Sequence, residues 1–85
     1  MEEALKEFER KGYEYRFKGN SIIFQKEITP NTTITFKYDT KERLLSPKRL
    51  VSVNDEGVII QDKVISYTTN EALMFERLFN CKRAD

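Results

Sequence analysis

The run FKYDTKERLLSPKRLVSV, residues 36–53, carries five basic side chains, Lys37, Lys41, Arg43, Lys48 and Arg49, against two carboxylates, Asp39 and Glu42. Ammonium and guanidinium groups gathered at this spacing are donors without acceptors, suited to the phosphates of a nucleic acid or to carboxylates on an acidic protein surface. Together with Arg16, placed ahead of them on an alternating segment, they are the candidate partner-binding residues. A plainer role competes: lysine and arginine beside strand ends keep a connection solvated and discourage edge-to-edge pairing. Ser46-Pro47-Lys48-Arg49 also fits the short pattern of proline-directed phosphorylation, a pattern that recurs easily by chance.

Other chemistries find little to stand on. The chain has no histidine, which removes the general base that titrates near neutral pH, the Ser-His and Cys-His pairs and every histidine metal ligand. One cysteine, Cys81, allows neither an intrachain disulfide nor a Cys/His zinc site. Its place beside Lys82 and Arg83 favours the thiolate, but a single tail cysteine is usually incidental. Gly12, Gly19 and Gly57 stand alone in three separate turns, so no glycine-rich phosphate cradle exists. Asn54-Asp55-Glu56-Gly57 resembles a calcium loop only superficially, because the spaced ligands and the closing glutamate are missing; it reads as a hairpin turn. These observations lead to the expectation of a non-enzymatic protein with no cofactor and no metal. Fifteen basic against fourteen acidic residues leave a net charge of +1, so any electrostatic attraction must be local. No stretch approaches the roughly 18 apolar residues of a membrane span, and the first residues lack the pattern of a signal peptide. A soluble, cytoplasmic chain is expected.

The elements that would position these groups follow from periodicity. Residues 2–11 place Ala4, Leu5 and Phe8 at helical spacing, with acidic residues first, basic residues last and Gly12 as the stop. Residues 13–17 alternate strictly, 18–21 supply turn chemistry, and 22–28 return as a second strand. Thr29-Pro30-Asn31-Thr32 makes a further turn before the alternating segment 33–38. After the basic loop, residues 50–53 and 58–61 form strands about the 54–57 turn, Asp62-Lys63 marks a turn or a bulge, and 64–67 extends the β region. Thr68 and Glu71 have the spacing of a capping box, opening a helix with Ala72, Leu73, Met74, Phe75, Leu78 and Phe79. Residues 81–85 read as a frayed tail.

The first and third strands put Tyr13, Tyr15, Phe17, Ile34, Phe36 and Tyr38 on one side and Glu14, Arg16, Thr33, Thr35 and Lys37 on the other. One dry face and one wet face predict an α+β, two-layer sandwich: an antiparallel sheet of four to five strands with an N-terminal and a C-terminal helix on one face, in a single domain over 1–85. The ring stripe also has the composition of a stacking platform for single strands. It shares its face with the aliphatics that meet the helices, however, so core packing is the better reading.

The helix ending at Gly12-Tyr13, the hairpin into IIFQKE, the ITFKYD strand and the helix opened by TTNEAL together resemble the small uncharacterised proteins of phages and mobile elements of Gram-positive bacteria. Many of these finish on a longer helix and a glycine-tryptophan pair, which this chain lacks. What the resemblance implies is a non-enzymatic accessory protein that binds a host or phage macromolecule, some relatives being inhibitors of host defence nucleases. The expected function is therefore protein–protein contact. The alternatives are a nucleic-acid contact module using the basic loop, and a purely structural or self-associating domain.

Overall fold

In the computed structural model, which describes residues 2–79 and the backbone of 82–83, the elements run α1 (Glu2–Arg10), β1 (Glu14–Lys18), β2 (Ser21–Thr29), β3 (Thr32–Asp39), β4 (Leu44–Leu45), β5 (Lys48–Val53), β6 (Ile59–Ile65), α2 (Thr69–Phe79) and the two-residue β7 (Lys82–Arg83). Asn80, Cys81, Ala84 and Asp85 fall outside the described residues, and with them the expectations of a reactive Cys81 and a frayed tail.

The end of α1 shows how local chemistry sets tertiary position. Gly12 takes φ +93°, so the Tyr13 amide reaches back to the Phe8 carbonyl (3.0 Å) and the Gly12 amide to that of Glu9 (3.0 Å). This is a Schellman stop, and the Phe8 and Tyr13 rings meet edge-on across it with centroids 5.9 Å apart. The chain leaves the helix already pointing Tyr13 into the core, where it is 7% exposed.

β1, β2 and β3 pair antiparallel in sequence, with Tyr15 opposite Phe24 and Phe24 opposite Phe36. Opposed residues share a face, so this side of the sheet carries Ile22, Phe24, Phe36 and Tyr38, all buried. Both helices pack here. Phe8 of α1 meets Phe24 at 4.7 Å and Phe36 at 5.7 Å, while Phe75 of α2 meets Phe36 at 5.5 Å and Phe79 meets Tyr38 at 4.5 Å. The expected α+β class, the core placement of Phe36 and Tyr38, and the Thr68–Glu71 capping box all hold. The Thr68 amide donates to Glu71 Oε1 (2.9 Å) and the Glu71 amide to Thr68 Oγ1 (3.1 Å). Phe17, expected on the dry face, lies beyond the helices and is 65% exposed.

The strand count is a correction: among the described residues six strands pair antiparallel, not four to five, with β7 lying parallel beside β4. One misreading accounts for it. The basic run is not a loop between strands. Only residues 40–43 form a turn, after which Leu44 and Leu45 pair back onto Asp39 and Tyr38, and Lys48 already begins β5. The turn or bulge expected at Asp62-Lys63 is absent: β6 runs straight through both residues, and its irregularity lies at Ile60, opposite the Ser52–Val53 step.

β3 divides its far edge between two partners. Thr32 to Thr35 pair with β5, and Tyr38 and Asp39 with β4. Between those ladders β3 has Phe36 and Lys37, whereas the other side has Ser46, Pro47 and Lys48, a bulge of one residue. Proline is tolerated here because the bulge asks it for no ladder donor. Ser46 supplies what is missing: its amide donates to the Lys37 carbonyl (2.9 Å) and its Oγ accepts from the Lys37 amide (2.9 Å).

Candidate functional site

The bulge decides which of the basic residues face outward. Arg16 pairs with Ile23, and Ile23 with Lys37, so Arg16 and Lys37 lie in one row on the sheet face opposite the helices. Lys18, one turn of the pleat further along β1, shares that face. Lys41 and Arg43 lie in the β3–β4 turn. Asp39 Oδ1 accepts from the Lys41 and Glu42 amides (2.9 Å each), and Arg43 closes the turn in the left-handed region at φ +54°. Thr40 ties this tip to the β1–β2 tip, since its amide and its hydroxyl both donate to the Asn20 carbonyl at 2.8 Å. Arg16, Lys18 and Lys37 thus share the open face of the sheet, and Lys41 and Arg43 lie in the turn at the end of β3, all exposed.

Lys48 and Arg49 do not join them as free charges. Lys48 points to the helix side and is 6% exposed, with Nζ 2.8 and 2.9 Å from the two Glu71 oxygens and over the Tyr67 ring at 5.7 Å. Its role is structural. With the Tyr67 hydroxyl donating to the Ser46 carbonyl (2.7 Å), it fixes the start of α2 to the bulge. Burial pushes the Glu71 carboxyl upward, but the hydrogen bonds from Lys48 and the Thr68 amide, with the lysine charge, hold it below the usual carboxylate range. The same carboxylate acts on Tyr13: burial first, and the Glu71 charge second, push that phenol up to about 12. Arg49 does face outward, yet its guanidinium meets Asp62 in a two-point contact, Nε to Oδ1 at 3.0 Å and Nη2 to Oδ2.

Beside Lys37 the bulge leaves a shallow groove of about 380 Å³ in the open face, lined by Ile23, Thr35, Phe36, Lys37, Ser46, Pro47, Arg49 and Val64, the Phe36 ring itself being buried on the helix side. It is rimmed by charge and floored by threonine and aliphatic groups, and no ring is among the side chains of that face in β1 to β3. Ser46, the residue of the proline-directed pattern, uses its hydroxyl within the strand pairing, so a phosphate there would break the ladder to β3. The 54–57 segment is a hairpin turn: Asn54 Oδ1 accepts from the Glu56 amide (2.9 Å) and the Val58 amide (3.0 Å). Among the described residues no group of three or more carboxylate or cysteine side chains is arranged to hold a metal ion, and no helix is long and apolar enough to cross a membrane.

Of the six candidates, four are brought to one region, one is neutralised in place and one is buried. Lys18 was not among them. Its only sequence signal is its position at the end of an alternating strand, and nothing in the sequence shows which two hairpin tips are neighbours. Comparison of the chain with protein-family models, with curated proteins and with solved structures found no match.

Proposed function

We propose that the protein is a non-enzymatic binding module that acts by protein–protein contact, with an acidic partner surface seated on the open face of the sheet. The observation that carries this reading is the asymmetry of the sheet: one face closed by helices, the other bare and holding Arg16, Lys18 and Lys37 beside a groove, with Lys41 and Arg43 in the turn at the end of β3. Opposed potentials of this kind speed association and fix orientation. The short turn and its link to Asn20 hold the tip charges in place before a partner arrives, which lowers the ordering cost. The resemblance to phage and mobile-element proteins directs the search for that partner to host defence nucleases first.

The test is charge reversal with a measured affinity. After affinity capture from a host lysate and purification of the captured protein, Arg16→Glu, Lys37→Glu, Lys41→Glu and Arg43→Glu together should weaken its binding at least about tenfold while leaving the melting temperature close to the parent's, since exposed charges contribute little to stability. Equal affinity for parent and variant would remove the basic face from the function. Binding to a DNA or RNA duplex that falls by about 10³ between 50 and 200 mM salt would instead make this face a nucleic-acid contact.

A further inference from the structure

Two outer strands of the sheet, β1 and β6, are built differently, while the two-residue β7 ends the short branch beyond β4. β1 closes one side with five residues, three of them charged: Glu14, Arg16 and Lys18. β6 closes the other with seven, pairs only with β5 among the described strands, and is bare on both faces. Ile59, Ile60 and Val64 are 59%, 66% and 64% exposed. A long apolar edge with outward main-chain donors and acceptors is a template for another strand.

Its side-chain order selects that strand. Antiparallel overlap of residues 60–64 with their own copy centres on Asp62, while Ile59 lies beyond the irregularity at Ile60 and no longer shares a face with Ile65. In this register Ile60 meets Val64 of the copy and Gln61 meets Lys63, each pair occurring twice by symmetry. Gln61 Oε1 already accepts from Ser52 Oγ (3.3 Å) and keeps a second lone pair for the ammonium. Slipping by two residues in either direction sets Asp62 against an aliphatic side chain, Ile60 or Val64. A slip of one residue puts every side chain on the wrong face. At the centre two Asp62 carboxylates approach, but each is already held by Arg49 of its own chain, so the row across the axis is Arg, Asp, Asp, Arg.

We propose that the outer edge of β6 pairs antiparallel with the same edge of a second copy, joining the two sheets about a two-fold axis at Asp62. The contact is a five-residue strand pair about 17 Å long. It is smaller than a standard interface, so a weak, concentration-dependent dimer is expected. It lies on the far edge of the sheet from β1 and β2, and it stands independently of the basic-face reading.

Sedimentation equilibrium of the whole chain from about 1 to 500 µM tests it. The expected result is a monomer–dimer equilibrium that Ile60→Lys with Val64→Lys weakens at least about tenfold, because like charges then oppose across the edge. Phe17→Lys, at the 65% exposed position on β1, is expected to leave it unchanged. A chain that stays monomeric at the highest concentration overturns the proposal. So does a dimer that the β6 variant leaves intact, or one that Phe17→Lys weakens as much.

Discussion

Phe24 and Phe36 oppose each other across β2 and β3 and are 0% and 2% exposed, whereas Val64, opposite Arg49 on the β5–β6 hairpin, is 64% exposed. The two regions belong to one sheet but are held by different forces. Under the helices, eight rings from Phe8, Tyr13, Phe24, Phe36, Tyr38, Tyr67, Phe75 and Phe79 form a continuous buried cluster. Beyond the helices no aliphatic side chain of β5 or β6 is buried, and the hairpin depends on its main-chain ladder with polar pairs added. On the helix side Thr32, Ser52 and Gln61 form a hydrogen-bonded row, and on the open side Arg49 meets Asp62. A domain of this size can therefore concentrate its stability in about half of its sheet and leave the remainder available for contact.

The sharpest way to break this comparison is to truncate matched side chains. Phe36→Ala should cost about 3–5 kcal/mol in urea denaturation and lower the melting temperature by more than about 12 °C, while Val64→Ala should cost less than about 0.5 kcal/mol. Similar losses at both positions would mean that the hairpin is as integral to the core as β3.

A second difference is in the response to alkali. Tyr13 ionises at about 12 in the folded chain and near 10 when unfolded. A raised folded value gives stability that is complete below pH 10 and is lost as pH rises toward 12. The loss is at most about 2–3 kcal/mol. Tyr13→Phe should remove that part of the alkaline slope, read as the difference between the two proteins' stability curves; identical slopes would place Tyr13 in contact with solvent.

The Lys48–Glu71 pair sharpens the boundary between the regions, since it fixes β5 to α2 where the hairpin leaves the helices. Lys48→Met should cost about 1–2 kcal/mol, less than a fully buried pair because the Glu71 side chain is 20% exposed. Glu71 is lowered, so its contribution is present above the ordinary carboxylate pKa of about 4.3 and is lost as pH falls through the lowered value. The variant should accordingly lose less stability than the parent on acidification below about pH 5. The smallest effect belongs to the hairpin: Asp62→Asn should change stability by no more than about 0.5–1 kcal/mol, because its pair with Arg49 is largely solvated.

Much of the covered half was legible in the sequence because its signals are local. Gly12, the alternation around Phe36 and the Thr68–Glu71 box each state a conformation within a few residues. The basic run was not legible in the same way. Pro47 and the charges around it have the composition of a loop, and only the pairing partner across the sheet shows that Ser46 replaces a ladder bond. The fate of Lys48 depends on Glu71, 23 residues away, a separation at which no sequence period operates. Alternation predicted outward faces for Arg16 and Lys37 correctly, since both lie in regular strands.

The extra residue at Ser46–Pro47 acts on everything that follows it as a frame shift acts on a reading frame. Leu45 and Lys48 both face the helices although they are three apart, so the parity of inward positions changes from odd to even at that point. Deleting one residue there would turn Arg49, Val51 and Val53 toward the helices and Leu50 and Ser52 toward solvent, inverting the hairpin without altering a single side chain in it. Segments with the composition of a loop ordinarily drift in length over evolution with little penalty. This one cannot change by one residue without inverting the hairpin, and for a designer it is a handle: adding or removing one residue exchanges the two surfaces of the β5–β6 hairpin while the aromatic core stays as it is.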